Sequence, residues 1–155
     1  MTISEAGQGC DETELGLGTL LRMPYQVMMA ETVEPALSAA GYDDIRSAHL
    51  PVFQALATHP VGLRATELAT YARITKQSIG YLIDHLDAGG YVERAPDATD
   101  QRAKVVRLTP RGWEASQKIR GAVRDVEVDW TQRVGAARVE HLRAILQDLV
   151  TSFER

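Results

Sequence analysis

Two helical patterns separated by only two residues constrain this chain more than any other feature. In the stretch 75–90, Ile79, Leu82, Ile83 and Leu86 recur at i, i+3, i+4 and i+7, so they form one apolar stripe that must pack on something else. At about 100° per residue the opposite face carries Gln77, Gly80, Tyr81 and Asp84, with Lys76 and Ser78 flanking the first turn. Thr75 is suited to cap the start, Ile74 can staple onto Ile79, and Gly89-Gly90 ends the helix with residues that accept positive φ. Upstream, residues 66–72 form a shorter helix with Leu68, Ala69 and Ala72 on one side, and only Arg73 and Ile74 lie between the two. Helices joined by so tight a turn make a helix-turn-helix.

Downstream, residues 91–95 and 103–108 are rich in β-formers and flank the turn residues 96–101, which predicts a β-hairpin, or wing. The run from His49 to Gly112 resembles the winged helix-turn-helix of MarR-type transcription regulators. The resemblance is carried by Glu67-Leu68-Ala69, by Leu82-Ile83-Asp84-His85-Leu86 closing on Gly90-Tyr91-Val92-Glu93-Arg94, by Asp100-Gln101-Arg102 in the wing, and by Leu108-Thr109-Pro110-Arg111-Gly112 after it. With helical arms on both sides it covers nearly the whole chain. It implies a ligand-responsive repressor, bound as a homodimer to a pseudo-palindromic operator in double-stranded DNA. Thr75, Lys76, Gln77, Ser78 and Tyr81 would meet bases or phosphates in the major groove. Lys104 would add a phosphate contact from the wing, and Arg102 would enter the minor groove with Asp100 orienting its guanidinium. Relatives often carry an arginine on the exposed helix face, where this chain has Gly80, Tyr81 and Asp84, so the wing is expected to carry more of the affinity.

The expected fold class is mainly α with a small β-wing, within the range of one domain for 155 residues. Residues 1–14 are acidic, Gly-rich and without apolar periodicity, and read as a disordered or loosely ordered tail. Residues 15–46 form an N-terminal helical arm, 47–112 the winged helix-turn-helix, and 113–155 a C-terminal helical arm. A first helix over 15–40 is expected to bury Leu17, Leu20, Leu21, Val27, Met28 and Leu37, with Pro24 and Pro35 kinking or dividing it. A second, over 47–58, turns Val52, Phe53 and Leu56 inward, and residues 61–64 are a candidate third strand. Thr109-Pro110 starts a long helix striped by Ile119, Val123, Val126 and Trp130, and a last helix carries Val139, Leu142, Leu146, Leu149 and Phe153. These seams exceed what one small winged domain can cover, which points to a dimer.

The net charge of −4 is unevenly spread. Residues 61–113 hold eight Lys or Arg against six Asp or Glu, so the acidity belongs to the flanks. Phosphate attraction is a local property of a docking face. The acidic N-terminus is the wrong charge for a secretory signal, no apolar run approaches membrane-spanning length, and the single cysteine, Cys10, excludes an intramolecular disulfide. Together these point to the cytoplasm. His49, His59, His85 and His141 lack metal-ligand spacing and there is no phosphate-cradling loop, so no catalytic residue, metal or cofactor is expected. Asp11 and Glu12 oppose a thiolate at Cys10, although a thiol-based redox-sensing regulator is one alternative reading. Another is a winged-helix protein-interaction module with vestigial DNA contacts. Met23, Tyr25, Met28 and Met29 cluster on the first helix, either as ordinary packing or, with His49 and Trp113, as a pliable wall for a small aromatic ligand.

Overall fold

The chain, described over residues 15–153 of a computed structural model, begins with a helix that changes pitch. Helix α1 (Leu17–Met28) runs through Pro24, widens into a π turn (Met29–Val33), and continues as α2 (Glu34–Ala39). The fault lies just ahead of Pro35, which has no N–H and whose ring would crowd the carbonyl four residues back in a regular helix. In the wider turn the Glu34 N–H reaches the Met29 carbonyl instead. Burial also changes there. No side chain of α1 is buried, and Leu17, Leu20, Leu21 and Val27, expected inward, are exposed, whereas Met29, Val33 and Leu37 enter the core. Those residues of the first helix are therefore not covered by the described part of the single chain.

A loop with buried Tyr42 and Ile45 leads through the short 3₁₀ turn Ser47–His49 into α3 (Leu50–Thr58). Helices α4 (Ala65–Ala72) and α5 (Lys76–Ala88) form the helix-turn-helix. Strands β1 (Val92–Pro96) and β2 (Lys104–Leu108) pair antiparallel, with Val92 opposite Leu108 and Pro96 opposite Lys104. The expected third strand is reduced to one bridge, in which Leu63 and Val106 exchange backbone hydrogen bonds of 3.0 and 2.8 Å. Helix α6 (Pro110–Val134) is capped by the Thr109 hydroxyl, which accepts from the Gly112 N–H, and α7 (Ala136–Ser152) follows after Gly135.

One apolar cluster holds these elements together. It joins Val33 and Leu37 to Phe53 and Leu56 of α3, Leu68 of α4, the stripe Ile79, Ile83 and Leu86 of α5, Val106 of β2, and Ala115 and Ile119 of α6. Each large aliphatic or aromatic side chain buried there contributes about 1.5–3 kcal/mol. The core thus crosses both expected domain boundaries, because the arms lend it their inner faces. Backbone approaches closely at Gly112, where a Cβ would lie 1.9 Å from the Tyr91 carbonyl oxygen. By contrast α7 has no residue buried against the described part of the chain; it exposes Leu142, Ile145, Leu149 and Val150, and Phe153 just after it is exposed too. Among the described residues no helix is long and apolar enough to cross a membrane. The expected tail, with Cys10, lies outside the described residues.

Candidate nucleic-acid interface

The turn between α4 and α5 is built from local geometry. Arg73 ends α4 in the left-handed region at φ 55°, and the Ile74 N–H returns to the Ala69 carbonyl at 3.1 Å. Thr75 then caps α5 by accepting the Ser78 N–H at 3.1 Å, and its hydroxyl donates to Ser78 Oγ at 2.9 Å. Both hydroxyls are thereby tied to the helix start. Lys76, Gln77, Tyr81 and Asp84 are exposed, with Tyr81 at 67%, while Ile79, Ile83 and Leu86 are buried beneath them. The two faces of α5 fall as the spacing predicted. Gly90, at φ 74°, ends the run, whereas Gly89 keeps helical angles.

The wing is fastened to this unit by ion pairs. Arg94 on β1 reaches across to α5, its guanidinium 2.5 Å from Asp84 and 2.7 Å from Asp87. Where the wing's turn begins, just past the last strand pair, Arg64 contacts Asp97 Oδ2 through Nε at 2.7 Å and through its terminal nitrogen at 2.6 Å. Asp97 Oδ1 meanwhile accepts the Thr99 N–H and hydroxyl, each at 2.8 Å. The Thr99 N–H, then its hydroxyl, then Arg64 favour the carboxylate and lower its pKa to about 2. Asp100 differs from expectation. It accepts the backbone N–H of Arg102 at 3.1 Å and lies 3.9 Å from Arg64, so it shapes the turn and leaves the Arg102 guanidinium untouched. Among the described residues Lys76, Arg102 and Lys104 form no ion pair, and Arg73 rests on the Phe153 ring at 5.6 Å. The other basic residues of 61–113 are engaged: Arg64 and Arg94 as above, Arg107 with Glu93 at 2.6 Å, and Arg111 with the Gly89 carbonyl at 3.1 Å.

Behind α5 a polar joint connects it to α6 and to the N-terminal region. The Tyr91 hydroxyl donates to Asp44 at 2.5 Å and accepts from Arg111 at 3.2 Å, while His85 Nε2 donates to the Asp44 carbonyl at 2.9 Å. The guanidinium of Arg111 lies 4.8 Å from the centre of the Tyr91 ring. Burial, then the Asp44 carboxylate, pushes the Tyr91 hydroxyl up. For Asp44, burial is the largest influence and acts upward, but the Tyr91 hydrogen bond, a backbone hydrogen bond and the charges of His85 and Arg111 together outweigh it, and the pKa is lowered.

An exposed, capped helix flanked by a braced hairpin is the arrangement of a winged helix-turn-helix, and residues 43–103 match the MarR family model. The chain is MarR-like. It is similar to the transcriptional activatory protein BadR of Rhodopseudomonas palustris, 29% identical over 57% of this chain and 53% of that one, so the match spans about half of that relative's length. Among solved structures it is similar to a cysteine-substituted MarR of E. coli complexed with operator DNA, with 25% identity, 86% of this chain and 92% of that chain covered, and a TM-score of 0.70. It is also similar to a MarR family protein of Mycobacterium tuberculosis in complex with salicylic acid, with 26% identity, 88% and 98% coverage, and a TM-score of 0.65.

In this MarR-like chain the five residues expected to wall a ligand are distributed differently. Tyr25 is exposed on α1, Met28 and Trp113 are half-buried, and Met29 belongs to the core. His49 is buried, its Nδ1 accepts the Arg46 N–H at 2.9 Å, and its ring stacks on His85 at 4.7 Å. Burial, then the neighbouring His85, lowers its pKa. A cavity of about 440 Å³ lies instead between α3 and α6, with Leu50, Phe53, Ile119 and Val123 as apolar wall and Arg120 and Arg124 beside them. Sequence reasoning overlooked Arg64, Arg94 and Asp97. Their pairing bridges separate segments, and only the opposite charges at the two ends of the α5–wing unit hinted at it.

Proposed function

We propose that this chain is a sequence-specific DNA-binding transcription regulator that works in the cytoplasm as a homodimer on a pseudo-palindromic operator. One observation carries the reading. Helix α5 is capped, packed along one face and free along the other, and the wing beside it presents Arg102 and Lys104 without ion pairs to any other described residue. Such a helix fits the major groove while the wing follows the phosphates into the adjacent minor groove. The operator complex of the E. coli relative supports the same use of this fold.

Dimerisation is supported by the exposed apolar residues of α1 and α7, among them Leu17, Leu20, Leu21, Leu142, Ile145 and Leu149. Two copies with their helical arms joined would present two α5 helices to successive half-sites. We further propose that a small aromatic acid adjusts their spacing. The α3–α6 cavity combines apolar walls with the cations Arg120 and Arg124, and a structural relative carries salicylic acid. A ligand bound there releases DNA only if it favours a spacing other than the DNA-bound one. Tyr25, Met28, Met29, His49 and Trp113 do not line this cavity.

Repression is the reading for an operator that overlaps a promoter. A gel shift with the DNA flanking its own gene, followed by a reporter under that promoter, tests both statements. A retarded band and a reporter silenced by the protein are expected. No retardation at any protein concentration would favour the protein-interaction module, and release by peroxide that is lost in Cys10→Ser would favour the redox regulator.

A further inference from the structure

The geometry points to Asp84 as a base-reading residue that selects cytosine in each half-site, with Arg94 as the positioning residue that makes a carboxylate tolerable there; this rests on the DNA-binding reading above. Asp84 lies on the free face of α5, in line with Gln77 and Tyr81 at i, i+4 and i+7, and its side chain is 69% exposed. An isolated carboxylate on a helix entering the major groove would face the phosphate field and be repelled. Here Arg94 reaches over from β1 and places its guanidinium 2.5 Å from Asp84 Oδ1, while Asp87 grips the same guanidinium at 2.7 Å from the next turn. The pair offsets the charge of Asp84, and Asp87 prevents Arg94 from swinging away. With Oδ1 occupied, Oδ2 is left to accept from outside.

An acceptor without donors discriminates sharply among the base edges of the major groove. Guanine offers N7 and O6, both acceptors, and thymine offers O4 and a methyl group. Adenine's amino group lies between two acceptors, its own N7 and the paired thymine O4, whereas cytosine's N4 amino donor has an acceptor on one side only, the paired guanine O6. A fixed carboxylate therefore favours cytosine, then adenine, and disfavours guanine and thymine.

The test is selection of bound sequences from randomised duplexes by the full-length protein and by Asp84→Ala, Asp84→Asn and Arg94→Met, followed by titration on the selected site with its variants. The wild type should enrich cytosine at one position per half-site and lose roughly tenfold or more in affinity when that position alone is changed to guanine. Asp84→Ala should flatten the preference at that position and leave all others intact. Asp84→Asn should move it towards adenine, since a carboxamide both donates and accepts. Arg94→Met should weaken every sequence by a similar factor and still favour cytosine there. If Asp84→Ala selects the wild-type site, or weakens all sites alike, Asp84 is only a brace for the wing and the inference falls while the DNA-binding reading stands. A wild type that enriches no sequence overturns both.

Discussion

At Asp97 a single carboxylate gathers the Thr99 N–H, the Thr99 hydroxyl and the Arg64 guanidinium, and its pKa of about 2 has a definite sign for stability. An unfolded Asp titrates near about 3.9. The folded state therefore gains from the ionised form: the contribution is complete above about pH 5, declines as pH falls through the unfolded value, and is gone below the folded value. Carbon-detected NMR titration of Asp97 should give a midpoint near 2 in the wild type, rising towards the ordinary carboxylate value in Arg64→Ala. For Arg102 the expectation is different in kind. Arg102→Ala should weaken operator binding by roughly 1–3 kcal/mol per subunit, most on A·T-rich flanks whose narrow groove rewards an inserted guanidinium. Lys76→Ala should weaken all sequences alike and lower the salt slope by about one unit per subunit. Fluorescence anisotropy of both variants on operator and scrambled duplexes at several salt concentrations distinguishes the two effects. The exposure of Lys76, Gln77 and Tyr81 could be read from helical periodicity, which is a local property. The backbone role of Asp100 could not, because an Asx turn and an oriented guanidinium require the same residues two apart.

Elements with a strong period were read correctly for the same reason. The apolar stripe of α5, the tight turn at Arg73-Ile74 and the hairpin around 96–101 each follow from neighbours within a few residues. The π turn at Met29–Val33 was missed, since one extra residue in a helix disturbs the 3.6-residue period only slightly and Pro35 alone announced trouble. The third strand was overdrawn, because Leu63 makes its bridge at one residue only. The start of α6 shows how much can depend on one missing atom. Gly112→Ala would set a methyl group 1.9 Å from the Tyr91 carbonyl oxygen, and both atoms belong to anchored segments: Tyr91 is fully buried and Thr109 bonds back to it. The wing and α6 would have to part. Thermal or urea denaturation should show a loss of about 1–3 kcal/mol, the usual cost of overpacking, with more if the joint opens. An unchanged midpoint would mean that the two elements move independently.

For the molecule as a whole, the faces left uncovered matter as much as the core. The stripe of α7 was predicted as a seam and Leu17, Leu20, Leu21 and Val27 of α1 as buried, but their exposure within one chain could be seen only once the core was found to be complete without them. Leu142→Glu with Leu149→Glu should turn the proposed dimer into a folded monomer, because α7 contributes no buried residue to its own chain. Sedimentation at micromolar protein would show the halved mass, and loss of the linked second half-site should cost about a hundredfold or more in operator affinity. Half of the basic residues in 61–113 are bound to carboxylates or carbonyls of the chain, leaving Arg73, Lys76, Arg102 and Lys104, whose side chains meet no such group among the described residues, to meet phosphate. A dimer then brings about eight available cations, for a slope of log affinity against log salt of about −7. That economy of free charge also governs how the protein would travel. A regulator that commits Arg64, Arg94 and Arg107 to fastening its own wing grips arbitrary DNA lightly, so each wrong encounter is brief and the search proceeds by frequent hops rather than long slides. Raised salt should then shorten residence on scrambled DNA far more than it delays arrival at the operator.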